Sequence, residues 1–577
     1  MKRCPECRRD YYDDTLLYCL DDGNALLEGP AVTRPPDYEP ATAILSEPGA
    51  VATGFPASES PTRAQIDSAD LIAILPSGIG GATSKKITID RKVWVLIALI
   101  AILIPAGYFG YRSFKSEQLN SIAVLPFQNA SGDPSLDYLS DGVSESVIDR
   151  LSQLGQLKVI ARSSSFRYRD SNPDLKEIAN ALGVQTIVTG RIARRGDNYL
   201  IRVDLTDVSQ NKQLWGDNFN RQVSDVLNLP EEIAQTVTEN LKLKLNGTQE
   251  QMIARHETTN AEAYELVLKA RFFARKGGTE SRKKAIEYLN QAIAADPNYA
   301  LAYAVLAARY NSLVNNSIAD PAEFLPKSAA AAQKALDLDD NLAEAHYAQA
   351  IVKSSMFDWA ASEREFNRAI ELNPNLARAH GGFAQYLSIR GRHEQAIAEI
   401  NRAKTLDPLA NIISANVGLI LNFAGRNDEA IDVLKKILEI DRTYPLTQSY
   451  LADAYVAKHR YSEAIVLYQE AIKLGEDSTG EQIKLGVAYA RSGARDEARS
   501  ILKQMQSSES YVSSAELAKL HDSLGQREEA FALLEKAFAA RDVQLQYLGI
   551  DPAYDGLRGD PRFADLLSRV GLKQTGR

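Results

Sequence analysis

The stretch ARAHGGFAQYLSIRGRHEQAIAEINRAKTLDP, residues 377–408, decides the fold of the larger part of this chain. It consists of two runs of helix length, it ends in Asp-Pro, and small residues recur at Ala384, Ala396 and Ala403. Where two helices cross closely only alanine or glycine fits, while larger residues fill the rest of the seam. The stretch therefore predicts one pair of tightly packed helices.

The same unit returns along the chain with a period of 34 residues. The first interval is longer, which indicates an insertion of nine residues near residues 315–324. A 34-residue period with helix-length halves is typical of the tetratricopeptide (TPR) repeat. We predict a solenoid of about eight repeats over residues 260–544 and a C-terminal cap over residues 545–577. The dipeptides that end successive units begin at Asp296, Asp339, Asn373, Asp407, Asp441 and Gly475.

Stacked TPR hairpins form a superhelix whose concave groove normally holds a peptide or a partner helix. The side chains at the groove positions are mixed and partly apolar, and the Lys/Asn set with which TPR chaperone adaptors hold a terminal carboxylate is missing. We therefore expect a protein or peptide partner with a mixed or amphipathic segment rather than an acidic tail. The alternative is that these side chains pack against a neighbouring domain. The candidate groove residues are Tyr347, Ile351, Arg378, Gln385, Leu419, Phe423, Asp453, Ile483 and Val487.

Residues 119–246, upstream of the repeats, show a different pattern. Apolar runs at residues 122–127, 157–162 and 184–194 predict strands, and helical periodicity fills the intervals between them. Gly196 and Asp197 then predict a hairpin into further strands. The order βαβαβ followed by an antiparallel meander and a helix predicts one α/β domain.

The sequence of this region resembles that of the TolB-amino-terminal-like (FlgO-like) domains, from SIAVLPFQNASGDPSLDYLSDGVSESVIDRLSQL to QLWGDNFNRQ. Such domains precede repeats in bacterial cyclases, kinases and transmembrane regulators. The resemblance implies the fold, but a fold does not fix a site. Ser163, Ser164 and Ser165 follow the second strand, at the edge where open α/β sheets bind ligands. They form either a small-ligand site or a polar connecting loop.

Residues 93–111, VWVLIALIAILIPAGYFGY, are 19 residues without a charge. As a helix they extend for about 28 Å, close to the hydrocarbon thickness of about 30 Å. The preceding flank is the more basic one, which places the N-terminus in the cytoplasm. We predict a single-pass protein of the inner (cytoplasmic) membrane whose C-terminal domains are periplasmic or extracytoplasmic. The Pro-rich residues 30–90 predict a disordered tether.

Residues 1–29 contain all three cysteines of the chain. Cys4 and Cys7 form a CxxC turn, Cys19 begins a second turn, and Asp22 stands where a fourth cysteine would complete a tetrahedral set. The segment resembles the zinc-ribbon modules at the N-termini of bacterial membrane signalling proteins, which implies a structural Zn²⁺ as cofactor. So short a segment needs metal to fold. The alternative is a metal-free remnant of such a module.

The chain has 577 residues, a net charge of −9 and a pI near 5.5. So acidic a chain is a poor general binder of nucleic acid, which requires a basic surface. The six histidines form no HExxH motif, and no cysteine follows Cys19 to act as a nucleophile. We therefore expect that the protein is not an enzyme.

The predicted fold class is multidomain: a zinc-ribbon-like knuckle, one transmembrane helix, an α/β domain and an all-α TPR solenoid. The predicted function is a membrane-anchored scaffold or signal-relay protein that binds partner polypeptides. Two alternatives stay open at this point. One is a sensor whose α/β domain binds a small ligand, and the other is a regulator that acts through the cytoplasmic zinc-ribbon segment.

Overall fold

A computed structural model describes most of the chain from residue 119 to residue 573, together with three short strands near the N-terminus. The gaps within 119–573 are residues 134–135, 170–173, 223–226, 277 and 476–478. The chain divides into two compact units, Met1–Ile97 and Ala98–Arg577.

Three predictions fall on residues outside this description, and the disordered tether of residues 30–90 is the first. The predicted membrane span, residues 93–111, is the second, and it stays a prediction. Among the residues that the structure describes, no helix combines the length and the apolar character that a bilayer crossing requires. The predicted zinc ligands Cys4, Cys7, Cys19 and Asp22 also lie outside the described residues.

The first unit contains a small antiparallel sheet with strand order β2-β1-β3. Arg3 on β1 is paired with Asp10 on β2 and with Leu27 on β3. In sequence, the CxxC pair lies between β1 and β2. The three strands are β1 (Lys2–Arg3), β2 (Asp10–Tyr11) and β3 (Leu27–Glu28).

The second unit begins with an α/β domain built on a six-stranded sheet of order β6-β4-β7-β8-β9, in which β5 pairs with β7. The pairs of β4 with β6 and with β7 are parallel, whereas β7, β8 and β9 form an antiparallel meander. The strands are β4 (Ser121–Val124), β5 (Gln128–Asn129), β6 (Lys158–Val159), β7 (Thr186–Arg195), β8 (Asn198–Asp207) and β9 (Lys212–Gln222).

Helices cover both faces of the parallel part of the sheet, which explains why β4 is buried throughout. Helix α1 packs Val143, Val147 and Leu151 against one face. Helix α3 packs Ile178 and Leu182 against the other. The helices of this part are α1 (Asp137–Ser152), α2 (Arg162–Ser165), α3 (Leu175–Leu182), α4 (Leu229–Asn240) and α5 (Gly247–Ala254).

The second parallel strand is shorter than the predicted residues 157–162, because the chain leaves the sheet for the solenoid. The Ile160 N–H still donates to the Ile122 carbonyl of β4 at 3.0 Å. The next N–H, that of Ala161, donates to the Leu406 carbonyl of the solenoid at 2.8 Å. Helix α2 follows at once, so a tertiary contact ends the strand.

The solenoid follows α5. Within the described residues, sixteen helices form eight consecutive hairpins. The helices are α6 (Ala261–Lys276), α7 (Thr279–Ala295), α8 (Ala300–Asn315), α9 (Pro321–Leu338), α10 (Ala343–Ser355), α11 (Trp359–Leu372), α12 (Ala377–Ile389), α13 (His393–Leu406), α14 (Asn411–Phe423), α15 (Asn427–Ile440), α16 (Pro445–Ala457), α17 (Tyr461–Leu474), α18 (Thr479–Ser492), α19 (Arg495–Gln506), α20 (Ser514–Ser523) and α21 (Arg527–Ala539).

The small residues lie where the helices of a hairpin meet, as the repeat pattern predicts. Ala384, Ala396 and Ala403 are fully buried. At Gly418 on α14, an added Cβ would stand 2.4 Å from Cγ of Leu434 on α15, so this seam has no room for a methyl group. The predicted insertion lengthens both helices of the second hairpin, α8 and α9, and the turn between them.

The segment after the last hairpin returns along the interior of the solenoid. Gln544 donates to the Asn315 carbonyl of the second hairpin at 2.9 Å, and Tyr547 stacks on Phe423 of the fifth. Trp359 Nε1–H donates to the Val570 carbonyl at 2.8 Å. The segment thus contributes to the core of several repeats rather than covering only the last one. It consists of two 3₁₀ turns, Val543–Tyr547 and Pro552–Tyr554, and helix α22 (Pro561–Val570).

Candidate functional site

A cavity of about 1640 Å³ lies between the concave side of the solenoid, the α/β domain and the C-terminal segment. All nine predicted groove residues lie in its wall, although they come from five different hairpins. They are Tyr347, Ile351, Arg378, Gln385, Leu419, Phe423, Asp453, Ile483 and Val487.

The nine residues differ in how much of their surface a ligand could reach. Leu419, Ile483 and Val487 are 8%, 1% and 4% exposed, so they serve mainly as core. Phe423 stacks on Tyr547 with ring centroids 5.8 Å apart. Arg378, by contrast, is exposed. Three of the nine side chains thus belong to the core of the solenoid, and Phe423 packs against the C-terminal segment.

The α/β domain is docked on the turns that end successive repeats. Asn375, in the turn after α11, places Nδ2 at 2.9 Å from the carbonyl oxygens of Ser152 and Leu157 and at 3.3 Å from that of Leu154. The neighbouring Asn373 donates to Ser152 Oγ at 2.8 Å. One buried amide group thus contacts three carbonyl oxygens at the end of α1 and in the following turn, of which that of Leu154 also accepts from the Leu157 N–H.

Asp407, one repeat further on, accepts hydrogen bonds from both Ser163 and Ser164, the latter at 2.5 Å. Ser164 also accepts from the Leu409 N–H at 2.7 Å. Burial raises the pKa of Asp407, and the two serine hydroxyls oppose this rise. Two of the three serines considered as a small-ligand site are therefore committed to holding the solenoid.

The same docking continues at two earlier repeat ends. Asp339 forms an ion pair with Arg255, and Asp296 accepts a hydrogen bond from Thr258. The residues that mark the period in the sequence thus have a second role, because they attach the α/β domain and its linker to successive repeats.

A cluster of buried charges joins α1 to the first solenoid helix, α6. Glu145 forms ion pairs with Arg162 at 2.9 Å, with Arg271 at 3.4 Å and with Arg275 at 3.3 Å. Asp141 lies 3.0 Å from Arg275. Burial alone would raise the pKa of Glu145, but the surrounding arginines hold that pKa below its ordinary value.

At the opposite end of the cavity, the cations have carboxylate partners. Lys484 lies 3.2 Å from Asp453 and 3.5 Å from Glu481. Lys519 lies 2.7 Å from both Glu516 and Asp551. Both lysines are thus paired, and this end of the wall carries four carboxyl groups against two lysines.

The end near the α/β domain is richer in arginine. Six arginines line it, Arg162, Arg271, Arg275, Arg282, Arg309 and Arg378, against three carboxylates, Glu145, Asp149 and Asp407. Sequence reasoning missed Arg309, because this residue does not fall at a usual groove position of its repeat. A signal was present, since Arg309 is the one charged residue in the alanine-rich helix α8.

In the part of the chain that the structure describes, no group of three or more His, Cys, Asp and Glu side chains is arranged to hold a metal ion. The charged groups of the cavity wall are instead arranged as ion pairs and hydrogen-bonded docking contacts. Such an arrangement can position and recognise a polar ligand.

Two protein-family models match parts of the chain. The model of the HilA/YgeH-like transcriptional regulator, second domain, matches residues 117–238. A tetratricopeptide repeat model matches residues 424–485. The first match covers the α/β domain and the second covers three of the solenoid helices with part of a fourth. The resemblance to TolB-amino-terminal-like domains stays a prediction.

Among curated proteins, the chain is similar to a putative adenylate cyclase 3 of Rhizobium meliloti, with 31% identity over 237 residues. The match covers 41% of this chain and 40% of that relative's length. Pseudomonas aeruginosa pilF is 23% identical over 36% of this chain and 90% of its own, with a TM-score of 0.28. Yeast Tom70 is 16% identical over 60% and 85%, with a TM-score of 0.34. At such low scores neither structure carries an inference about this chain.

Proposed function

We propose that this TPR repeat protein, in which an α/β domain precedes the solenoid, is a scaffold that holds an extended segment of a partner protein. The proposal rests on one observation: the nine groove positions from five hairpins line a single cavity. The cavity volume of about 1640 Å³ exceeds the roughly 300–1,000 Å³ of pockets for small molecules. A peptide segment is a ligand of suitable size and mixed chemistry.

Site-specific photo-crosslinking in cells tests this proposal. Ile412 is 43% exposed and lines the cavity, whereas Ile440 is 82% exposed and does not line it. A photoreactive residue at position 412 should capture one defined segment of one partner, and the same residue at position 440 should not. Equal capture at both positions, or none at position 412, would reject the scaffold.

We also propose that residues 93–111 anchor the scaffold in the cytoplasmic membrane. The support is the uncharged run of 19 residues with its more basic preceding flank. The full chain should remain in the membrane fraction after alkaline washing. A reporter enzyme that functions only after export, fused after residue 573, should be active. Recovery of the full chain in the supernatant would contradict the anchor.

For the first unit, we propose a structural Zn²⁺ bound by Cys4, Cys7, Cys19 and Asp22. Thiolate and carboxylate ligands suit Zn²⁺, and the described strands β1 and β2 pair on either side of the CxxC pair in sequence. The full chain should contain about one Zn²⁺ and lose it to a chelator. A Cys7→Ser variant with full zinc content would refute the site.

A second candidate function is regulation. It is favoured by the match of the α/β domain to a domain of transcriptional regulators and by the 31% identity to a putative adenylate cyclase. In this proposal the α/β domain and solenoid sense a ligand and relay its presence, either across the membrane or through the zinc-ribbon segment. Thermal-shift screening of the full chain with metabolites tests it. Sharp stabilisation by one metabolite, without a polypeptide partner, would favour this function over the scaffold.

A further inference from the structure

Two arginines in the cavity wall differ from the other cations of the wall. Arg309 on α8 and Arg378 on α12 make no hydrogen bond or ion pair with any described residue. The Nε atom of Arg309 is buried without a hydrogen-bond partner. The two lysines at the other end of the cavity, in contrast, each contact two carboxylates.

A buried cation without a partner is costly, because burial removes its water and nothing replaces that water. Burial lowers the pKa of Arg309, and the nearby positive charge of Arg378 lowers it further. The guanidinium group still stays charged at neutral pH, since the intrinsic pKa of arginine is very high. The guanidinium group of Arg309, with the exposed guanidinium group of Arg378 near it, therefore forms a site that an anion would stabilise.

Three carboxyl groups interact with Arg378 through charge, Glu145, Asp407 and Glu344, but none of them forms an ion pair or hydrogen bond with it. Glu145 is occupied by Arg162, Arg271 and Arg275. Asp407 accepts the hydroxyl groups of two serines, and burial raises its pKa. Burial also raises the pKa of Glu344, the remaining carboxyl group that interacts with Arg378.

We propose that Arg309 and Arg378 bind a carboxylate of the partner, so that the segment held in the cavity is acidic at the end next to the α/β domain. This inference rests on the proposed scaffold function and specifies its ligand. It replaces the expectation of a purely mixed segment, because that expectation did not consider Arg309. Guanidinium groups hold carboxylates through short, charge-assisted hydrogen bonds, often in pairs.

Fluorescence anisotropy with the full chain in detergent tests the assignment. The probes are three labelled heptapeptides of alternating residues, Glu with Leu, Gln with Leu, and Lys with Leu. We expect the Glu peptide to bind at least about tenfold more tightly than the Gln peptide, and the Lys peptide to bind most weakly. The variant Arg309→Gln/Arg378→Gln should lose most of this preference and bind the Gln peptide as before.

The matched control is Arg364→Gln/Arg442→Gln, which removes the same charge at two exposed arginines that do not line the cavity. It should keep the preference for the Glu peptide. The assignment fails if wild type shows no such preference, or if the preference survives in Arg309→Gln/Arg378→Gln. It also fails if free glutarate competes with the Glu peptide at equal concentration, because the ligand would then be a small dicarboxylate and not a segment of a partner. The scaffold is tested independently by crosslinking at position 412, so it can stand while this assignment fails.

A second measurement separates ligand binding from a structural role. Without ligand, Arg309→Gln should leave the melting temperature unchanged or raise it, because a desolvated charge is removed and no contact is lost. The Glu peptide should then raise the melting temperature of wild type but not that of the variant. A clear fall in the melting temperature of the ligand-free variant would show that Arg309 is a structural group and would overturn the assignment.

Discussion

Close approach at single residues determines which side chains the solenoid tolerates. At Gly418 an added Cβ would lie between 2.4 and 2.6 Å from three carbon atoms of Leu434. We expect Gly418→Ala to lower the free energy of unfolding by about 1–3 kcal/mol, because the fully buried Leu434 must shift in a packed seam. Urea unfolding at equilibrium measures the change.

The matched control is Gly381→Ala, also inside the first helix of a hairpin, where an added Cβ would meet no atom within 4 Å. Alanine has the higher helix propensity, so this change should stabilise the protein by up to about 1 kcal/mol. If both variants shifted stability in the same direction, close packing would not explain the glycine at position 418.

The buried carboxylate of Glu145 predicts how stability depends on pH. Its pKa in the folded protein is held below the ordinary value of 4.5, so its contribution is present above pH 4.5. That contribution is lost as the pH falls through the lowered value. We expect Glu145→Gln to cost about 3 kcal/mol at pH 7, because three arginines lose their shared anion.

The difference between wild type and Glu145→Gln should shrink as the pH falls below 4.5, since wild type then loses the charge that the variant lacks. Denaturant unfolding of both proteins over this range measures it. A difference that stayed constant down to strongly acidic pH would show that the carboxylate acts through its shape rather than its charge.

At the scale of elements, the turns that end the repeats hold the α/β domain. We expect Asn375→Ala to cost about 2–3 kcal/mol, because the carbonyls of Ser152, Leu154 and Leu157 lose a buried donor. Asn341 occupies the equivalent position one repeat earlier and is exposed. Asn341→Ala should change stability by less than about 0.5 kcal/mol. Hydrogen exchange at β6 reports the docking directly, and equal exchange in both variants would contradict this role of Asn375.

The elements that depend on local pattern could be predicted from the sequence, and those that depend on tertiary contact could not. Helix α3 follows the expected signals, with Asp174 as its N-cap and Gly183, at φ 63°, as its end. Strand β6 is short because Ala161 donates to the solenoid. No periodicity within residues 157–162 encodes a partner that lies more than 200 residues away.

For the whole molecule, the docking contacts predict one cooperative unit over the described part of residues 119–573. The α/β domain contacts the solenoid through buried charges at Arg271, through Asn375 and through Asp407. We expect one calorimetric transition for both domains in the full chain. In the double variant Arg271→Met/Asn375→Ala, this transition should split into two. Two transitions in wild type would show that the domains unfold independently.

The candidate site, too, could be predicted from the sequence only in part. Repeat positions alone identified nine residues that line the cavity, because a 34-residue period fixes which side chains face inward. They could not show that the C-terminal segment covers Phe423, or that Arg309 enters the wall from a longer hairpin. Both facts depend on how distant parts of the chain return to one another.

The path of the C-terminal segment determines when the solenoid can complete its core during translation. Gln544 and Trp359 make contacts that span 229 and 211 residues. The ribosome therefore synthesises every described hairpin of the solenoid before it synthesises Leu545, Leu548 and Tyr554. These three residues are fully buried among the hairpins. Until then the nascent spiral exposes an apolar interior, which is a substrate for chaperones. A premature stop codon upstream of residue 570 should yield a product for quality-control proteases rather than a shorter working protein.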